Sequence, residues 1–125
     1  MRADFDPTIV IAVDFDGTIT KVDGGTLDAE NVNQEAKTFI NYARSKGAYV
    51  ILWTCRERER LDEAIRYCAN HGIFFDNYNE DNGQREQSRK PNVDMLIDNL
   101  ATPSGAIDWQ GFTQRFEAIL KNRRQ

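Results

Sequence analysis

The stretch IAVDFDGTIT, from Ile11 to Thr20, decides how the rest of this chain is interpreted. It belongs to an apolar, β-branched run from Thr8 to Phe15, which is typical of a strand covered on both faces. Two carboxylates, Asp14 and Asp16, stand where that strand should end, and carboxylates are costly to desolvate without a positive partner. The stretch therefore predicts a buried strand whose end forms a cation-binding site.

The rest of the sequence alternates between helical and strand patterns. Apolar spacing predicts a helix that is capped by Asn31 or Asn33 and stopped by Gly47. The further predicted elements are a strand at Ala48–Trp53, a helix at Glu57–Asn70 stopped by Gly72, a strand beginning at Ile73–Phe75, a loop at Asp76–Arg89, a strand at Val93–Ile97, a turn at Ala101–Gly105 and a helix from Trp109 to Leu120. This order predicts an α/β, three-layer Rossmann-like domain with a central, mainly parallel sheet.

Length and composition narrow the class of protein. The 125 residues suggest one domain, 1–125, and 40% hydrophobic with 29% charged residues is an ordinary globular composition. The net charge of -4 gives no bulk attraction to nucleic acid. No apolar run reaches the length of a membrane span, the first residues do not resemble a signal peptide, and two cysteines are too few for a disulfide framework. We therefore expect no membrane contact and a cytoplasmic location.

Chemically useful residues follow several of the predicted strands. Asp14 and Asp16 follow the first strand, Thr54 the second and Asp98 the last, with Lys90 before that last strand. Parallel α/β sheets bind ligands beyond the carboxyl ends of their strands. Carboxylate oxygens suit Mg²⁺, while a hydroxyl and a lysine suit phosphate oxygens. The strand ends therefore predict a Mg²⁺ and phosphate site.

The spacing of the two aspartates suggests a division of roles. Residues two apart in an extended segment can face the same region, so Asp14 and Asp16 can approach one phosphoryl group. One carboxylate would attack phosphorus and the other would protonate the leaving oxygen. Mg²⁺ and Lys90 would offset the repulsion between an anionic nucleophile and an anionic phosphate.

These motifs together resemble the haloacid dehalogenase (HAD) superfamily. DFDGT is similar to its first signature, DxDGT, and LWT is similar to its second, an apolar strand ending in Thr or Ser. Lys90 resembles the third, and IDN, with Asp98, the fourth. The four occur in the family's order between Ile9 and Asn99. ILWTCRE and SRKPNVDMLIDN also resemble a group of short HAD hydrolases found in bacteria and phages.

The resemblance implies a Mg²⁺-dependent phosphatase and a role for each motif residue. Asp14 would be the nucleophile that forms an aspartyl-phosphate, and Asp16 the general acid and then the base. Thr54 would bind phosphoryl oxygens, and Lys90 would orient Asp14. The metal would be held by Asp14, the backbone carbonyl of Asp16, and Asp98. The chain is short for a family member with a large cap, so we expect a minimal cap or none.

The fourth motif departs from the family pattern. Asn99 stands where a second acid is frequent, although it can still orient a metal-bound water. Asp94 offers a second way to place the motif. Asp98 is preferred because it follows the apolar residues of the strand, whereas Asp94 opens that strand at the far end from the site.

Several alternatives stay open at the level of sequence. Arg56 either contacts the substrate phosphate or begins the charged helix, and Thr18 and Asn99 are further candidate substrate contacts. The substrate is expected to be a phosphorylated small molecule rather than nucleic acid, although a nucleic-acid end phosphatase remains an alternative. A phosphate-binding or regulatory module with weak or lost catalysis is a further alternative. No pattern in the sequence identifies the leaving group or the oligomeric state.

Overall fold

The computed structural model describes residues 8–22, 24–79, 93–98 and 107–123. The predicted Lys90, Asn99 and the turn at 101–105 lie outside these ranges. Within them, the elements are β1 (Val10–Val13), a 3-10 turn (Ala29–Asn31), α1 (Gln34–Ser45), β2 (Tyr49–Leu52), α2 (Arg58–Asn70), β3 (Asn77–Tyr78), β4 (Met95–Ile97) and α3 (Trp109–Arg123).

The four described strands form one parallel sheet in the order β3-β2-β1-β4. β1 is flanked on both sides, and its last residue, Val13, is paired with Leu52 of β2 and Ile97 of β4. Strand order reverses at β1, because the chain first adds β2 and β3 on one side and later returns to add β4 on the other. The predicted Rossmann-like α/β fold is confirmed, and β1 lies at the switch point where such sheets bind ligands.

Both faces of the sheet are buried. On one face, Ile11 and Val13 belong to the main core together with residues of α1, α2 and α3. On the other face, Val10, Ala12 and Ile51 have no exposed surface. This two-sided burial explains why the strands have continuous apolar runs rather than alternating patterns.

The helix ends follow from local chemistry. Of the two candidate caps, Asn33 is the one that caps α1, since its Oδ1 accepts hydrogen bonds from Glu35 N at 3.0 Å and Ala36 N at 3.4 Å. Gly47 follows the helix with a φ of 90°, a conformation that favours glycine. Cys68 is buried on α2, and that burial raises the pKa of its thiol to about 12, so it packs as an apolar residue.

The third strand was placed wrongly by sequence. Ile73 and Phe75 are buried but unpaired, and the strand forms later, at Asn77–Tyr78, within the segment predicted as a loop. Pairing begins at Asp76, whose N–H donates to Val50 O at 2.8 Å. The apolar residues in this connection fill the core below the sheet, so hydrophobicity marked burial here and not strand pairing.

The last helix agrees with its predicted apolar pattern. Trp109 and Phe116 are buried, and both rings contact Phe39 of α1, with centroids at 5.8 and 6.2 Å. In the described ranges, no helix is long and apolar enough to cross a membrane.

Candidate functional site at the carboxyl edge of the sheet

Asp14 and Asp98 occupy neighbouring positions at the carboxyl edge, the edge at which the parallel strands end. Asp14 N donates to Ile97 O at 2.9 Å, which continues the β1–β4 ladder by one step beyond Val13. Asp98 directly follows Ile97, so the two half-buried carboxylates leave adjacent strands side by side. Asp94, by contrast, lies at the opposite edge, where its Oδ2 accepts from Val10 N at 2.8 Å.

Thr54 leaves β2 on the other side of β1. Trp53 N donates to Val13 O at 2.9 Å, so Thr54 lies one residue beyond the end of this ladder. Its Oγ1 accepts a hydrogen bond from Arg56 N at 3.2 Å. Because the oxygen is used as an acceptor, the hydroxyl proton can still serve as a donor to a ligand.

The segment after Asp14 is a tight turn. Phe15 O accepts from the N–H groups of Thr18, Ile19 and Thr20 at 3.2, 2.9 and 3.1 Å. Gly17 has a φ of 78°, which favours glycine, and its N–H donates to Thr20 Oγ1 at 2.9 Å. The glycine of the motif is therefore required by the backbone of the turn as well as by any chemistry.

Thr18, a predicted substrate contact, is fully buried in this turn. Its carbonyl accepts from Asn33 Nδ2 at 3.3 Å, which joins the turn to the start of α1. A substrate-binding role for Thr18 stays a prediction.

The Asp16 side chain is paired with Arg56. Arg56 Nε and Nη2 donate to the two Asp16 carboxylate oxygens, each at 2.9 Å, in a fork geometry that is among the strongest for this pair of groups. The Arg56 side chain is only 8% exposed and that of Asp16 is 23% exposed. This bidentate pair joins the first and second motifs of the sequence.

Arg56 is held on several sides. Its guanidinium lies over the Phe15 ring, 4.9 Å from the centroid, and Nη1 donates to Arg60 O at 3.4 Å. Glu63 Oε1 is 3.9 Å from the same nitrogen. Arg56 precedes α2, which begins at Arg58, so it does not start the charged helix; contact with a substrate phosphate stays a prediction.

Asn79 was not identified by sequence, yet it contacts the loop that carries Thr54 and Arg56. Its Oδ1 accepts from Thr54 N at 2.7 Å and its Nδ2 donates to Arg56 O at 3.4 Å. It follows β3 directly, so a correct placement of that strand would have put it at the carboxyl edge. Because the third strand was predicted too early in the sequence, Asn79 was not seen to follow a strand.

A flap, residues 20–22 and 24–32, follows the turn and returns to α1. Its base is closed by the antiparallel bridge between Thr20 and Val32. The Asn31 side chain joins two other parts of the flap: its Oδ1 accepts from Val22 N at 3.0 Å and its Nδ2 donates to Thr26 O at 2.8 Å. The flap is thus internally hydrogen-bonded.

The oxygen donors at the carboxyl edge are of the kind that Mg²⁺ prefers. Among the described residues, no group of three acidic, histidine or cysteine side chains is close enough to form a metal site by itself. The Asp16 carboxylate accepts from Arg56, while its backbone carbonyl accepts no hydrogen bond from any described residue. Two adjacent carboxylates, Asp14 and Asp98, with one backbone carbonyl are hard oxygen donors, which fit Mg²⁺ completed by water.

Comparison with known proteins extends the description of the fold. No family model and no curated protein matches the chain. A solved structure of a conserved protein coded by a locus from Bacteroides thetaiotaomicron is similar to it, with a TM-score of 0.69 and 31% identity over 89% of this chain and 91% of that one.

The fold and the position of the site define a Rossmann-like α/β protein with a candidate site at the carboxyl edge of its sheet. The chain belongs to the same family as the conserved Bacteroides thetaiotaomicron protein, which it matches over nearly the whole length of both chains. This relationship establishes family and fold.

Proposed function

We propose that this protein is a Mg²⁺-dependent phosphohydrolase of the HAD type, with Asp14 as its nucleophile. The observation that carries the proposal is the adjacency of Asp14 and Asp98 at the ends of paired parallel strands. Thr54 leaves the neighbouring strand on the other side of Asp14. Two carboxylates and a hydroxyl around one strand end provide ligands for a metal and a phosphate together.

The bound substrate phosphate would lie beyond the end of β1. Thr54 would donate its hydroxyl proton to a phosphoryl oxygen, and Lys90 would contribute positive charge near Asp14. Asp14, the Asp16 carbonyl and Asp98 would hold Mg²⁺. When bound, the metal would supply positive charge that offsets repulsion between the Asp14 carboxylate and the phosphate.

The reaction would proceed in two displacements. An Asp14 carboxylate oxygen would form a bond to phosphorus while the bond to the leaving oxygen breaks, and Asp16 would give that oxygen a proton. A water molecule would then attack the phosphorus of the aspartyl-phosphate, with Asp16 taking its proton. Breaking the acyl phosphate bond would release inorganic phosphate and restore the Asp14 carboxylate.

The proposed substrate is a phosphorylated small molecule. The flap is short, and the proposed site lies at the edge of the sheet where parallel α/β proteins bind small ligands. The net charge of -4 gives no long-range attraction to nucleic acid, so an oligonucleotide end is the less favoured substrate.

The test is phosphate release from a panel of phosphorylated metabolites in Mg²⁺, with and without a chelator. Asp14→Asn should lower kcat by about 10³-fold or more, as removal of a nucleophile does. Asp94→Asn is the matched control, because Asp94 lies at the opposite edge of the sheet and its loss should leave kcat unchanged. If Asp14→Asn turned over substrate as fast as the wild type, the proposal would be wrong.

A second candidate is a phosphate-binding module with little or no catalysis. Asn99 favours it, because this residue stands where the resemblance to the HAD family leads us to expect a second acid, and one carboxylate fewer weakens the binding of Mg²⁺. Calorimetric titration with the same metabolites separates the two. Tight binding without Mg²⁺-stimulated phosphate release across the panel would support the module, and turnover by the wild type would exclude it.

A further inference from the structure

Asn79 lies where β3 ends and has an uncommon backbone conformation. Its φ is 51°, in the left-handed region that residues other than glycine seldom adopt and that asparagine tolerates best. Asn79 N donates to Leu52 O at 2.8 Å, so the residue is fixed to the end of β2. The conformation is therefore held by the sheet and directs the side chain towards the loop after β2.

The side chain of Asn79 binds that loop at two points. Oδ1 accepts from Thr54 N at 2.7 Å, and Nδ2 donates to Arg56 O at 3.4 Å. A third bond, from Arg56 N to Thr54 Oγ1 at 3.2 Å, closes the loop on itself. The backbone on both sides of Cys55 is thereby fixed to the end of β3.

Fixing this backbone also fixes where the Arg56 guanidinium lies. With its main chain held here, the Arg56 side chain reaches both Asp16 oxygens and lies over the Phe15 ring. A bidentate pair tolerates little displacement, because both N–H groups must remain aligned with the two oxygens. A contact path therefore runs from β3 through Asn79 and Arg56 to Asp16.

We propose that Asn79 is a positioning residue for the candidate site: its side chain holds the β2 exit loop so that Arg56 orients the Asp16 carboxylate. The inference rests on the proposed function for its consequence in catalysis, since Asp16 is the proposed acid and base. The contact path itself does not depend on that function. Asn79 would touch neither substrate nor metal.

Asn79→Gly is the variant that isolates the side chain. Glycine adopts a φ of 51° without strain, so the replacement removes the two side-chain bonds and keeps the backbone shape. Asn77→Ala is the matched control on the same strand, because Asn77 Oδ1 accepts only from the neighbouring Tyr78 N, at 2.8 Å, among the described residues.

The first measurement is hydrogen exchange of the Arg56 Nε–H by NMR on the full chain, with Arg56→Lys used to assign the signal. We expect a protected signal in the wild type and in Asn77→Ala, and exchange about ten-fold faster in Asn79→Gly, as the loss of about one hydrogen bond's net energy predicts. Equal protection in Asn79→Gly and the wild type would overturn the proposal. An equal loss of protection in Asn79→Gly and Asn77→Ala would overturn it as well.

The second measurement is the kinetics of the best substrate. We expect Asn79→Gly to lower kcat by about ten-fold with KM changed less than about two-fold, because the proton-transfer group is misplaced and the phosphate contacts remain. An unchanged kcat beside faster Nε–H exchange would overturn the catalytic part. If the wild type shows no turnover, the proposed function fails, and the exchange experiment still decides whether Asn79 positions Arg56.

Discussion

The two edges of the sheet use aspartate–arginine pairs in different ways. At the amino edge, where the strands begin, Asp94 opens β4 and exchanges hydrogen bonds with Val10: its N–H donates to Val10 O and its Oδ2 accepts from Val10 N, both at 2.8 Å. Arg123, at the end of α3, donates to both Asp94 oxygens at 2.5 and 3.2 Å.

The same arrangement recurs between β3 and β2 at the amino edge. Asp76 opens β3, donates its N–H to Val50 O and accepts from Val50 N at Oδ2, again both at 2.8 Å. Arg44, near the end of α1, donates to its two oxygens at 3.1 and 3.4 Å. Each aspartate thus satisfies a strand N–H and joins the sheet to the end of a helix.

The carboxyl edge has a bidentate pair without the strand bond. In the described residues, the Asp16 carboxylate accepts only from Arg56, and Arg56 comes from a loop rather than from a helix end. The carboxylates of Asp94 and Asp76 therefore bond the sheet backbone, whereas the carboxylate of Asp16 is held by a loop arginine. This difference predicts that losses at one edge affect stability and losses at the other affect activity.

The sharpest test of this contrast is Asp16→Asn. We expect kcat to fall by about 10²–10⁴-fold, the usual contribution of a general acid and base. The asparagine side chain keeps one oxygen that can accept from Arg56, so unfolding in urea should show a loss of about 1–2 kcal/mol at most. Full activity in Asp16→Asn would remove the functional distinction between the two edges.

The converse test is Asp94→Ala at the amino edge. The change leaves Val10 N–H without its side-chain acceptor and removes two hydrogen bonds of Arg123, which keeps its bond to Thr8 O at 3.0 Å. We therefore expect the free energy of unfolding to fall by about 2–3 kcal/mol. Activity per folded molecule should not change. A loss of kcat without a loss of stability, measured by urea denaturation beside a phosphatase assay, would contradict the contrast.

Asp76→Ala repeats this test at a more exposed pair. The side chains of Arg44 and Asp76 are 34% and 25% exposed, slightly more than the 31% and 21% of Arg123 and Asp94, and water can replace part of the lost interaction. We expect a loss of about 1–2 kcal/mol, smaller than for Asp94→Ala. A larger loss than at Asp94 would show that exposure does not rank the two pairs.

Sequence predicted the strand exits well because both signals at β1 are local. An apolar run followed by DFDGT identifies a buried strand, its end and its turn within ten letters, and β1 with Gly17 is found there. Asp94 was also placed at the far edge on sequence, from its position before the apolar residues of β4. These inferences needed only the direction of each strand.

Side-chain partners could not be predicted in the same way. The Asp16–Arg56 pair joins residues 40 positions apart, and their meeting depends on how β1 and β2 pair and on the loop conformation that Asn79 holds. The third strand was misplaced because burial and strand pairing are separate requirements that both select apolar residues at Ile73 and Phe75. Only the fold shows which requirement a given apolar residue meets.

The flap contains a further carboxylate with a structural role, that of Asp28. Its Oδ2 accepts from Thr26 Oγ1 at 2.7 Å, and its Oδ1 accepts from Glu30 N and Asn31 N at 3.1 and 3.0 Å. The Thr26 hydrogen bond is the largest cause that lowers the pKa of Asp28; desolvation opposes it, and the two backbone hydrogen bonds add to it.

A lowered pKa in the folded state means that the charged form of Asp28 stabilises the fold. This contribution is present above the ordinary aspartate pKa of about 3.9 and is lost as the pH falls through the lower folded value. The Tm difference between the wild type and Asp28→Asn should therefore be small but measurable near pH 6 and should shrink towards about pH 3, whereas kcat near neutral pH should change little. A Tm difference that did not vary with pH would show that the charge of Asp28 contributes nothing to the stability of the flap.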